Sequence, residues 1–144
     1  VRHRSFSYQE FSQRYAVSDT FETRETRLQD PKNRQNSVEI DISNIESKKL
    51  ADLWYLKQQE VLRKSREVYE WALGRGIAKE QARAALPEGL TGTTLYMAGT
   101  LRSWIHYCQL RMANGTQKEH QEIAELCWDI IGTHFPSVIK AFED

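Results

Sequence analysis

Cysteine, proline and glycine are scarce in this sequence, at two, three and seven residues among 144. Two thiols, Cys108 and Cys127, are too few for a disulfide framework and lack zinc-ligand spacing, so both are expected to be reduced and no metal site is expected. No apolar run approaches the roughly 18 residues that cross a bilayer. The opening Val1-Arg2-His3-Arg4 has none of the regions of a secretory signal, which together with the absent span reads as an intracellular protein. Charge of one sign is also missing. Twenty basic residues balance twenty acidic ones, so neither nucleic-acid coating nor an anionic membrane surface is favoured, and anion binding must be local. There is no Gly-rich phosphate loop, no nucleophile elbow, and no metal-ligating His pair at helical spacing. The chain lacks an initiating Met and opens inside a dense polar motif, an opening expected of a fragment.

What is present describes a globular domain spanning 1–144. Hydrophobic residues make up 40%, with four Trp, six Tyr and five Phe as bulky core material. A chain of this length should bury roughly two-thirds of its unfolded surface. The apolar period changes near residue 45. Residues 1–44 carry no helical stripe and are rich in Ser, Thr, Gln, Asn and Arg, with one alternation, Ser37-Val38-Glu39-Ile40-Asp41-Ile42, that predicts a short strand after the Asp30-Pro31-Lys32-Asn33 turn. Residues 45–144 read as helical. Leu50, Leu53, Trp54, Val61, Val68 and Ala72 share one face of a long helix that ends at Gly74 and Gly76. A short helix runs from Ala78 to Leu86, where Pro87 disfavours continuation. A third carries Leu101, Ile105, Cys108 and Met112 inward and stops at Asn114-Gly115. The fourth is expected to be capped by Thr116 with Glu119, to bury Ile123, Leu126, Cys127, Ile130 and Ile131, and to end at Pro136; Ser137 to Phe142 would add one turn. The expected class is α+β: predominantly helical, with a short strand and a polar ligand-binding loop.

Arginine carries the chemistry. The basic residues of the first thirty positions, Arg2, Arg4, Arg14, Arg24 and Arg27, include no lysine, and they sit among Ser5, Ser7, Glu10, Ser12 and Gln13. A planar fork of donors suits bidentate contact with phosphate or carbonyl groups. Ser12, Gln13 and Arg14 could surround a phosphate with hydroxyl, N–H and guanidinium donors. A solvated polar loop with surface ion pairs fits the same composition. Arg83 lies among small residues in Gln81-Ala82-Arg83-Ala84-Ala85-Leu86-Pro87, where a ligand could approach closely. On the third helix Arg102 and His106 share a flank, while Arg111 turns toward the Cys108 side. Arg111 also fits a helix C-terminal charge favoured by the macrodipole, and His106 an ordinary half-exposed imidazole.

Arg2-His3-Arg4, seven residues, then Ser12 resembles the RHR-x7-S signature of the flavin-dependent thymidylate synthases, with Glu10 and Arg14-Tyr15 completing its loop. The likeness continues through Asn33-Arg34-Gln35-Asn36-Ser37, Gln81-Ala82-Arg83 with Leu86-Pro87, Leu101-Arg102-Ser103 to Leu110-Arg111, and Gln117 with Glu119, over nearly the whole chain. Three positions depart from the usual pattern: Gln9, Thr100 and Gly115. The resemblance implies the C-terminal portion of a mixed α/β family fold, preceded by a further segment. It implies a homotetramer in the cytoplasm of a bacterial or virus-infected cell, with FAD and dUMP in sites shared between subunits. Methylenetetrahydrofolate would be the carbon donor and NADPH the reductant in forming dTMP, with no nucleic acid or membrane as partner. By the same resemblance Arg111 is the catalytic residue at the uracil edge. Arg2, Glu10, Phe11, Ser12, Gln13, Arg14 and Arg83 join it around dUMP, and Arg2, His3, Arg4, Glu10, Thr100, Leu101, Arg102 and His106 line FAD. On physics alone a helical phosphate- or nucleotide-binding module, or a paralogue without catalysis, accommodates the same arginines.

Overall fold

A computed structural model describes residues 5–12, 16–17 and 20–143. In chain order the elements are β1 (Phe6–Glu10), β2 (Arg27–Gln29), β3 (Ser37–Glu39), α1 (Ile45–Gly74), α2 (Lys79–Ala82), β4 (Leu95–Gly99), α3 (Leu101–Arg111), α4 (Lys118–His134) and α5 (Pro136–Glu143). Turns of 3-10 helix occupy Arg83–Ala85 and Glu88–Leu90. β1 pairs with β4 and β2 with β3. The class is α+β with helix predominating. Packing groups the residues into two compact units, one from Val1–Ser7, Leu28–Val38 and Met97–Asp144, the other from Tyr8–Arg27 and Glu39–Tyr96.

The second unit is organised by α1. Its start is set by Asn44, whose side-chain oxygen accepts from the N–H groups of Glu46 (2.9 Å) and Ser47 (3.2 Å), satisfying donors that a helix end leaves orphaned. It stops where Gly76 takes φ +77°, a left-handed conformation that favours glycine. The buried residues Gln58, Leu62, Tyr69 and Ala72 follow one another by four, seven and three positions and so share a face. Tyr69 and Ala72 pack against Ala82, with Leu73 and Leu86 at the margin. Gln58 is only 3% exposed, and both ends of its amide are used: Oε1 accepts from Arg24 N (2.7 Å) and Nε2 donates to Arg24 O (2.9 Å). A buried amide without those bonds would cost about 1–3 kcal/mol.

This face is not the one its apolar spacing predicts. Leu50, Leu53, Trp54, Val61 and Val68 are 41–53% exposed, and of the expected stripe only Ala72 is buried. The inward face lies one residue, about 100°, further round the helix. It is chosen by the neighbours available, the Arg24 backbone and Ala82, and spacing cannot reveal these.

In the first unit Phe6, Tyr107, Cys108, Ala124 and Ile131 form the core, with Leu101, Trp104, Met112, Cys127 and Trp128 against it. Phe6 meets Trp104 and Tyr107 edge-on, at centroid separations of 5.0 and 6.2 Å. Gly99 is required there, because a Cβ on it would overlap the Phe6 ring. The α3 expectations hold for Leu101, Cys108 and Met112. On α4 the inward set is Ala124, Cys127, Trp128 and Ile131, whereas Ile123, Leu126 and Ile130 are 54–63% exposed. The cap also differs. Gln117, not Thr116, precedes the first helical residue and makes no side-chain cap bond; its amide donates to Glu119 instead (2.9 Å). Pro136 opens α5 rather than merely closing α4, since its missing N–H costs nothing at a first helical position. α5 then extends to eight residues, longer than the single expected turn.

The expected strand at 37–42 is shortened to Ser37–Glu39. Asp41 explains the stop: its carboxylate accepts from Ser43 N (2.9 Å) and Ser43 Oγ (2.6 Å), turning the chain toward the Asn44 cap. β1 and β2 lie in residues 1–44, whose polar composition carries no strand signal there, and β4 lies within the part that reads as helical. In β1 only Phe6 is buried, so no alternation marks the strand.

Candidate functional site

The second unit contains a cavity of about 740 Å³. Glu10, Phe11 and Ser12, at the end of β1 and just beyond it, form one part of its lining. Glu80, Arg83, Ala84, Leu86 and Glu88 come from α2 and the turns after it, and Thr91 and Thr93 from the approach to β4. Local structure explains the arrangement. Burial of Ala82 against Tyr69 and Ala72 anchors α2, which leaves the next residue, Arg83, exposed at the cavity. Leu86 takes extended geometry (ψ 137°) ahead of Pro87, and Thr91 Oγ1 donates back to Pro87 O (2.8 Å), folding the turn around the opening. Phe11 N donates to Thr94 O (2.9 Å), which holds Phe11 beside the start of β4. Thr93 Oγ1 donates to Glu10 Oε1 (3.3 Å), so the carboxylate is oriented within the cavity.

Four of the residues expected around dUMP, Glu10, Phe11, Ser12 and Arg83, are thus brought together. Arg2, His3, Arg4, Gln13 and Arg14 lie outside the described residues. The remaining expected residues belong to α3 in the first unit. Thr100 is its N-cap, accepting from Ser103 N (3.3 Å); Leu101 is half-buried; Arg102 and His106 are exposed one turn apart on a shared flank. Arg111 occupies the last position of α3. Its Nε is buried, with no hydrogen-bond partner among the described residues. A buried orphan on a charged side chain is costly, and a ligand oxygen would satisfy it. Thr91 and Thr93 escaped the sequence reading because nothing in their spacing distinguishes them from loop threonines.

Both thiols are driven toward their neutral form. Burial, with a smaller contribution from Cys127, raises the Cys108 pKa from an ordinary 9.0 to about 11, and burial raises that of Cys127. Cys108 is fully buried and Cys127 partly so. Among the described residues no group of three or more His, Cys, Asp or Glu side chains is placed to hold a metal, and no helix is long and apolar enough to cross a membrane.

A sequence model of the thymidylate synthase complementing protein family matches residues 1–137. The chain belongs to that family. It is 47% identical over 144 residues to a probable flavin-dependent thymidylate synthase of Paramecium bursaria Chlorella virus 1, covering 99% of this chain and 64% of the relative. It is 50% identical, with the same coverage, to the flavin-dependent thymidylate synthase of Synechocystis sp.. This thymidylate synthase complementing family member therefore spans a little under two-thirds of the length of those relatives. Its fold is similar to that of a UMP/dUMP methylase, PolB from Streptomyces cacaoi, solved with 5-Br dUMP: TM-score 0.78 at 22% identity, covering 97% of this chain and 62% of the other.

Cys108→Ala with Cys127→Ala should lower stability by about 1–3 kcal/mol through lost packing, which chemical denaturation checks. The stability that the neutral thiols contribute is present below pH 9 and declines as pH rises toward 11, because the unfolded chain releases those protons first. A covalent nucleotide adduct on either sulfur would contradict this assignment.

Proposed function

We propose that this protein is a flavin-dependent thymidylate synthase that makes dTMP from dUMP with FAD as cofactor, methylenetetrahydrofolate as carbon donor and NADPH as reductant. The observation that carries the reading is the cavity that gathers Glu10, Phe11, Ser12 and Arg83 from segments seventy residues apart, in a chain whose family model spans 1–137. Arg83 and the Ser12 hydroxyl are donors suited to the dUMP phosphate. Glu10, oriented by Thr93, is an acceptor suited to a ribose hydroxyl. The described lining holds one guanidinium against three carboxylates, Glu10, Glu80 and Glu88. A phosphate dianion needs more donors and more positive charge than that, so the reading calls on the Gln13 amide, the Arg14 guanidinium and donors of a second subunit.

Arg111 is the residue for the uracil edge. Its Nε, buried and without a hydrogen-bond partner among the described residues, is a donor that negative charge developing on the ring would satisfy, and such stabilisation would lower the barrier. The fit of α3 to FAD rests on its donor set: the Thr100 hydroxyl at a helix N-terminus, then Arg102 and His106 exposed on one flank, suit an anionic cofactor, with Leu101 beside them and Arg2, His3, Arg4 and Glu10 as the other expected contacts. FAD, when bound, supplies redox chemistry that no side chain here can provide. The chain's own groups bind, orient and stabilise charge, and with both thiols held neutral no cysteine nucleophile is involved. The exposed stripe Leu50, Leu53, Trp54, Val61 and Val68 supports a homotetramer, since an apolar face of this length on a thirty-residue helix is a surface that a partner covers. The compartment that fits is the cytoplasm of a bacterial or virus-infected cell.

Full-length protein should purify yellow, show visible absorbance that NADPH bleaches, and form dTMP; a colourless protein that binds dUMP without converting it would support the non-catalytic module instead. Arg83→Ala should raise KM for dUMP with kcat little changed, whereas Arg111→Ala should lower kcat by about a hundredfold at saturating dUMP. Arg111→Lys should not rescue, because a point charge lacks the planar fork. Identical effects of Arg83→Ala and Arg111→Ala on both parameters would remove the separate roles.

Assembly is tested on the stripe. Trp54→Glu with Val61→Glu should convert a tetramer into smaller species in analytical sedimentation, with loss of activity. A parent protein that sediments as a monomer and is fully active would sink the shared-site reading.

A further inference from the structure

The last turn of α3 is held from α4 at two points that bracket Arg111. Tyr107 lies one turn before Arg111 on the same side of the helix. Its hydroxyl, on a residue only 4% exposed, is 2.9 Å from His120 Nε2, and the two rings lie 5.6 Å apart at 39°. One residue beyond Arg111, the Met112 carbonyl accepts from Gln121 Nε2 at 3.2 Å. That carbonyl caps the helix end, where backbone acceptors have no partner within the helix. His120 and Gln121 are themselves placed by the first turn of α4, since both backbone N–H groups donate to Gln117 O at 3.0 Å. Helix ends fray unless such bonds hold them. Here the frayed residue would be the one carrying the buried, unpartnered guanidinium nitrogen.

We propose that Tyr107, His120 and Gln121 are positioning residues that clamp the C-terminal turn of α3 and thereby fix the direction in which Arg111 presents its guanidinium to the pyrimidine. This rests on the reading of Arg111 given above. Ala124, fully buried one turn along α4 from His120, lets the two helices approach closely enough for the side chains to bridge them. The clamp touches no substrate. It acts by confining an arginine whose own side chain has many rotamers, and a displacement of about 1 Å at a reacting centre can cost up to about a hundredfold in rate.

The test is a set of variants in the full-length protein, assayed for dTMP formation with dUMP varied. Tyr107→Phe keeps the ring in the core and removes only the hydroxyl; His120→Ala removes the other partner, and His120→Gln retains a donor and acceptor. Tyr107→Phe and His120→Ala should each lower kcat about five- to twentyfold with KM for dUMP within about twofold, and His120→Gln should recover part of the loss. Added to Arg111→Ala, Tyr107→Phe should cause no further loss, because it acts only through that arginine. Parental kcat in Tyr107→Phe, beside an impaired Arg111→Ala, would overturn the clamp. So would losses that multiply in the double variant. Parental kcat in Arg111→Ala would instead overturn the uracil-edge reading, and the clamp with it.

Discussion

The packing of α3 on α4 is the constraint on which the rest of the first unit depends. Two fully buried residues, Cys108 on α3 and Ala124 on α4, belong to the core of that unit, and both are small. Close approach of the helices follows from their size. The same proximity seals the thiol of Cys108 from solvent, which raises its pKa, and allows His120 and Gln121 to reach across to α3. The buried thiol of Cys108 and the bridges from His120 and Gln121 to α3 thus share one cause. A larger residue at 124 would disturb both.

Hydrophobic surface is left uncovered on both α1 and α4. On α1 the polar Gln58 is buried while Leu50, Leu53, Trp54, Val61 and Val68 are exposed, an inversion of the usual preference. Gln58 is tolerated inside because the Arg24 backbone takes both of its hydrogen bonds. The exposed residues have no such explanation within their unit. On α4, Ile123, Leu126 and Ile130 repeat the pattern. Contiguous apolar faces of this kind, unlike single scattered apolar residues, mark surfaces that interact.

Much of this was legible in the residues, and the reasons for the rest are specific. Gly74 and Gly76 mark the end of α1 through their backbone geometry, whereas the helix expected from Ala78 to Leu86 is α-helical only over Lys79–Ala82 before a 3-10 turn at Arg83–Ala85, and α3 stops at Arg111, ahead of Asn114-Gly115. The family resemblance carried by the spacing from Arg2 to Ser12 and the Gln81-Ala82-Arg83 run puts Glu10, Phe11, Ser12 and Arg83 around one ligand, and all four line one cavity. Which face of α1 turns inward was not legible, since apolar period identifies a face that avoids water without naming what covers it. β1 and β4 were hidden because Phe6 is the one buried residue of its strand and β4 has none. The Tyr107–His120 pair depends on a contact between helices thirteen residues apart in sequence, and each partner alone reads as an ordinary core aromatic or a half-exposed imidazole.

The central claim is that a preorganised Arg111 stabilises negative charge on the pyrimidine. The most direct measurement is the pKa of the uracil N3–H in dUMP labelled with nitrogen-15 and bound to the full-length protein, followed by NMR against pH. A guanidinium facing the ring favours the anion, so N3 should titrate at lower pH when bound to the parent than when free, and return toward the free value in Arg111→Ala. An N3 pKa that is unchanged or raised on binding to the parent would contradict the claim.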